Sequence, residues 1–144
     1  MEKNRPQWQA ITMLPTVAQH IGGMLEADQE QYATLLEAKP KPHVLDDDTV
    51  NRVISAFTTQ RNDLGLFDEQ LRRWGIEPKL TTAQRAEVSR LKQQMASLRQ
   101  ANTNVLKLAE ELKRGTINRI MEMGDAELGL RSLLGDLPGQ QQKR

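Results

Sequence analysis

Very few side chains in this sequence have the chemistry of a catalyst or a metal ligand, and their spacing argues against both uses. The imidazoles are His20 and His43. His43 precedes Asp46, Asp47 and Asp48, a mixed nitrogen and oxygen donor set that invites a cation-site reading. Three successive side chains point in different directions, however, and one histidine supplies too few ligands. Short carboxylates in that position are better used to cap a helix, where free backbone N–H groups and the helix dipole favour negative charge. His20 lies in no motif that would make it a base beside a nucleophile, and reads as a surface or packed residue.

Cysteine is absent, which removes disulfides, thiolate zinc sites and thiol nucleophiles together. The sequence contains neither HExxH nor paired ExxH helices, and Gly22-Gly23 lacks the lysine and hydroxyl ending of a phosphate loop. The expectation is a non-enzyme with no catalytic, cofactor-binding or metal-binding residues. The 20 basic and 19 acidic residues leave a net charge of +1, so no global field recruits nucleic acid or an acidic membrane. Lys107, Lys113, Arg114 and Arg119 form a modest basic stretch. Glu110, Glu111 and Glu122 interleave with it at salt-bridge spacing, as on a solvated helix face. No stretch approaches the roughly 20 apolar residues of a membrane span, and the N-terminus lacks the apolar run of a signal peptide. A cytoplasmic location is the expectation.

What the sequence does specify is helical periodicity. Hydrophobic residues make up 38% of the chain and aromatic residues only 3%, which suits an elongated helical protein better than an aromatic-rich globule. Val17, Ile21, Met24, Tyr32 and Leu35 predict a first helix over about 16–38, with Asp28 interrupting the stripe and Thr16 with Gln19 as a capping box. Gly22 and Gly23 inside it cost about 2 kcal/mol of helix propensity, so local fraying or close approach of another backbone is expected there. A short extra turn is expected just upstream. "KPKPHVLDDD" (39–48) is a connector, since its prolines cannot continue a helix.

A second helix, about 49–75, carries Val50, Val53, Phe57, Gln60, Leu64, Phe67, Leu71 and Trp74 in steps of three and four. Gly75 suits the left-handed position after the helix, and Pro78 stops continuation. Thr81 and Gln84 form a capping box that opens a third helix, about 82–123 and on the order of 60 Å long. Its seam is Val88, Leu91, Met95, Leu98, Asn102, Val105, Ala109 and Leu112. Asn102 occupies an a position. A buried amide there penalises registers in which it lacks a partner; alternatively, Asn102 sits at a partly exposed spot where the shorter helices run out.

Gly124 and Asp125 predict a break and a cap, followed by a short leucine-rich helix over 125–137. Leu128, Leu130, Leu133, Leu134 and Leu137 are too many apolar groups for so short a segment to bury against itself. Residues 1–15 read as an extension, 16–124 as the helical domain, and the polar 138–144 as a disordered tail. The fold class is all-α: an antiparallel, coiled-coil-like three-helix bundle with one long C-terminal helix and a short fourth. Ile117, Ile120 and Met121 lie beyond the reach of the second helix. With the five leucines, they are the candidate partner-binding residues.

"LRQANTN" (98–104) is similar to a pattern of the flagellar export chaperones of the FlgN type, a leucine-arginine pair followed by Asn102 and, displaced by one position, Asn104. "MLEADQEQYATLLEA" (24–38) resembles that family's opening helix. The resemblance spans about residues 14–123 and does not include the proline-rich connector or the leucine-rich ending. It implies a bacterial, ATP-independent cytoplasmic chaperone that keeps hook-associated proteins soluble and delivers them to the export gate. The C-terminal half of the third helix would touch the client, and Asn102 would be a family feature. The residues alone support a module that holds an amphipathic client helix in a groove, or else a homodimeric structural coiled coil.

Overall fold

The computed structural model describes residues 7–41 and 45–121, with side chains described as far as residue 115. Three long helices account for most of them: α1 (Leu14–Ala38), α2 (Asp47–Gly75) and α3 (Thr82–Met121), with no strand among the described residues.

Local chemistry explains where each helix starts. Asp46 is the N-cap of α2, its Oδ1 accepting the Thr49 N–H at 2.8 Å, while Asp47 and Asp48 lie in the first turn. Thr81 and Gln84 form a reciprocal capping box at the start of α3: Gln84 N–H donates to Thr81 Oγ1 at 3.0 Å and Thr81 N–H to Gln84 Oε1 at 2.9 Å. The expected box at Thr16 and Gln19 does not form. A 3₁₀ turn (Ile11–Met13) runs directly into α1, which starts at Leu14 with Pro15 in its first turn and no side-chain cap. The turn supplies some of the missing partners, since Leu14 N–H donates to Ile11 O.

The glycines correct two further expectations. Helix α1 runs unbroken through Gly22 and Gly23, and a Cβ built at either meets nothing within 4 Å. No other backbone approaches, and the flanking core residue Ile21 holds the helix in place despite the propensity cost. Replacing both by alanine is therefore expected to raise stability by about 2 kcal/mol, read as a higher urea midpoint with an unchanged slope. Gly75 is the last helical residue of α2, not a left-handed cap. Its absent side chain leaves room for Lys92, whose Nζ would lie 2.7 Å from a Cβ there.

The seams predicted from spacing are the ones that pack. The first half of α1 (Leu14, Ile21), the end of α2 (Leu64, Leu71, Trp74) and the start of α3 (Val88, Leu91, Met95, Leu98) share one core cluster. The end of α1 (Leu35), the start of α2 (Val50) and the middle of α3 (Val105, Leu108, Ala109, Leu112) share a second. The chain thus runs up, down and up, with α2 antiparallel to both neighbours. Helix α3 packs along both other helices and is the spine of the bundle. Helices α1 and α2 touch where His20 stacks on Phe67, ring centroids 5.3 Å apart.

An extended segment closes one end. Gln70, buried on α2, grips residue 9 from both sides: Gln9 N–H donates to Gln70 Oε1 at 2.6 Å, and Gln70 Nε2 donates to Gln9 O at 3.4 Å. The indole N–H of Trp74 donates to the same carbonyl at 2.9 Å, and the Arg73 guanidinium lies 4.5 Å from the Trp8 ring centroid.

Candidate functional site

Two features of α3 stand out: a polar layer in its buried middle and a backbone that continues to Met121, past the last described core residue, Leu112. Between the two apolar clusters each helix contributes one polar residue at a seam position. These are Asp28 from α1, Gln60 from α2 and Asn102 from α3. Asn102 is fully buried, which removes the partly exposed alternative, and Asp28 is 1% exposed. Asn102 Nδ2 donates to Gln60 Oε1 at 2.8 Å and to Phe57 O at 2.9 Å. Gln60 Nε2 in turn donates to Asp28 Oδ1 at 3.1 Å. The amide of Gln60 is thus a relay between the other two side chains. Asp28 Oδ2 and Asn102 Oδ1 are buried and have no protein hydrogen-bond partner.

Burial pushes the Asp28 carboxyl above the ordinary carboxylate range, partly offset by the hydrogen bond from Gln60. Surface acids behave in the opposite way. Thr49 hydrogen bonds hold Asp46 below its usual range, and pairing with Arg72 and Arg90 does the same for Glu69 and Glu87.

The second feature is the C-terminal reach of α3. Helix α1 ends at Ala38, where the exposed Lys39–Glu111 ion pair (3.4 Å) ties the turn to α3, and the second core cluster extends to Leu112. The α3 backbone continues to Met121, roughly 13 Å further at 1.5 Å per residue. Ile117, Ile120 and Met121 lie on this extension at helical spacing; their side chains lie outside the described set, as do residues Leu128, Leu130, Leu133, Leu134 and Leu137. Gly115 does not interrupt the helix. The groove between α2 and α3 just before the extension is lined by Arg61, Lys107 and Arg114 together with Glu110 and Glu111. Charges of both signs alternate there, as on a solvated face.

Spacing puts Gln60 in the α2 seam, but nothing local in the sequence shows that it bonds both neighbours or that Gln70 holds residue 9. The available signal was coincidence. Asp28, Gln60 and Asn102 are the polar members of three otherwise apolar stripes, and an up-down-up bundle brings the middles of its helices to one level. Among the described residues no group of three or more His, Asp or Glu side chains is placed to hold a metal, and Asp46 is engaged as a cap. No helix among them is long and apolar enough to cross a membrane. No protein-family model matches the chain, and no match was found among curated proteins or solved structures.

Proposed function

We propose that the chain is a non-catalytic binding module that holds an amphipathic helix of a client protein, acting as a small cytoplasmic export chaperone or adaptor similar to the flagellar FlgN type. The observation that supports this reading is the continuation of the α3 backbone to Met121, past Leu112, the last described residue of the second core cluster. A helix that continues past its described core contacts while its sequence stays apolar at Ile117, Ile120 and Met121 would offer one wall of a helix-binding groove. In this reading residues 125–137 form a short fourth helix whose leucines supply the rest of the grip. The resemblance in 24–38 and 98–104 selects hook-associated proteins as the client class.

The test is a calorimetric titration of the purified chain with a helical peptide from the C-terminal region of a flagellar hook-associated protein. Variants Ile117→Asp/Ile120→Asp and Leu133→Asp/Leu134→Asp are expected to keep the helical circular dichroism of the parent and to weaken binding by about tenfold or more each. Unchanged affinity in both would overturn the assignment of this surface. If the double variants instead change the mass in solution, these residues hold two copies of the chain together and the structural coiled coil becomes the better account.

A further inference from the structure

The hydrogen bonds of the central layer leave a surplus of acceptors that a proton on Asp28 would reduce. Asp28, Gln60 and Asn102 are joined by two side-chain bonds, and the two acceptors left over are Asp28 Oδ2 and Asn102 Oδ1. An ionised Asp28 has only acceptors to offer, whereas a carboxylic acid carries one O–H donor. Oδ1 already accepts from Gln60, so the proton belongs on Oδ2, and the unpartnered acceptor of the same layer is Asn102 Oδ1. We propose that Asp28 is carried in the fold as the neutral acid, making this layer a proton-dependent latch that seats α1 on α2 and α3.

The surroundings fit a neutral group. Facing Asp28 are the uncharged amides of Gln60 from α2 and, through it, Asn102 from α3. Tyr32 lies one turn further along α1. Arg61 follows Gln60 on α2 but is exposed and lines the groove with α3. Arg99, one turn before Asn102, is engaged with Asp68 on the surface. Burial and the Gln60 hydrogen bond are the influences on the carboxyl, and no counter-charge among the described residues acts on it. A charge buried without a partner is costly, and neutralisation is the usual remedy.

The sign of the linkage follows. A carboxyl that binds its proton more tightly folded than unfolded adds stability that is complete below the ordinary aspartate range. That stability is lost as pH rises through the folded-state value. The capped and paired surface acids Asp46, Glu69 and Glu87 act oppositely: their contribution is present above the unfolded values and lost as pH falls. The latch is therefore read against a variant that keeps those groups and lacks only the Asp28 proton.

Two measurements on the full chain test this. Carboxyl ¹³C NMR of Asp28 from about pH 3 to about pH 9 is expected to show titration above the ordinary value of about 3.9. Urea unfolding of the parent and of Asp28→Asn over the same range is expected to show the parent's folding constant falling relative to the variant. The fall is up to about tenfold per pH unit within the window between unfolded and folded values. Titration of Asp28 at or below the ordinary value, or parallel pH profiles for parent and variant, would overturn the proposal. Should Asp28→Asn fail to fold, the NMR titration of the parent decides alone.

Discussion

Asn102→Asp is expected to lower stability by roughly 2–5 kcal/mol at neutral pH, although it exchanges one atom for another of nearly the same size. The amide nitrogen is the sole donor in the layer supplied by α3, serving Gln60 Oε1 at 2.8 Å and Phe57 O at 2.9 Å. A carboxylate oxygen would face both acceptors with a third. Phe57 O keeps its own helical N–H, so most of the loss falls on Gln60, whose amide must turn over to donate to residue 102 and then gives up its own bond to Asp28 Oδ1, keeping contact only if the acid proton moves to that oxygen. The substitution also adds a second carboxyl to the same layer, linked to Asp28 through Gln60, at a fully buried position. With typical domains stable by only about 5–15 kcal/mol, a loss of this size empties much of the margin. The new group is itself favoured neutral, so the variant should recover part of its stability in acid. Urea unfolding at neutral and acidic pH checks both statements, and a neutral-pH change below about 1 kcal/mol would show that water relieves the layer.

The same residue marks how far spacing carries a reader of the sequence. Steps of three and four gave the three helices, and cap chemistry gave the α2 and α3 starts, because Asp46 and the Thr81–Gln84 pair act on neighbours within one turn. Cap chemistry points to Thr16 for the α1 start, whereas the helix begins at Leu14 because a 3₁₀ turn does the work of a cap, and turns of that kind leave little compositional trace. Neither fraying nor close approach of a backbone occurs at Gly22 and Gly23, since both depend on tertiary packing that the glycines themselves do not encode. The polar layer was half legible. Each polar residue interrupts its own stripe, but that they share one level depends on how the helices are offset along one another, which no single stripe records. Gln70 had no periodic signal, for its partner is the backbone of Gln9, far away in sequence.

That remote contact makes Trp74→Ala the other severe substitution, with an expected cost of about 3–5 kcal/mol. Trp74 is 1% exposed and sits in the cluster of Leu14, Leu71, Val88 and Leu91, so truncation leaves a cavity among side chains from all three helices. It also frees Gln9 O from one of its two donors, leaving only the longer bond from Gln70 to hold the carbonyl. Trp74→Phe separates the two effects, because it keeps a large ring and removes the N–H. Its cost should be about 1–2 kcal/mol, the worth of a buried hydrogen bond with some repacking. The chain has two tryptophans, so in either variant the remaining fluorescence belongs to Trp8, whose ring lies under Arg73. A shift in Trp8 emission before global unfolding, present in both variants and absent from the parent, is expected if the indole N–H anchors the extended segment. An unshifted Trp8 in Trp74→Phe would place that anchoring on Gln70 alone, and a Phe variant as unstable as the Ala variant would move the weight from packing to the hydrogen bond.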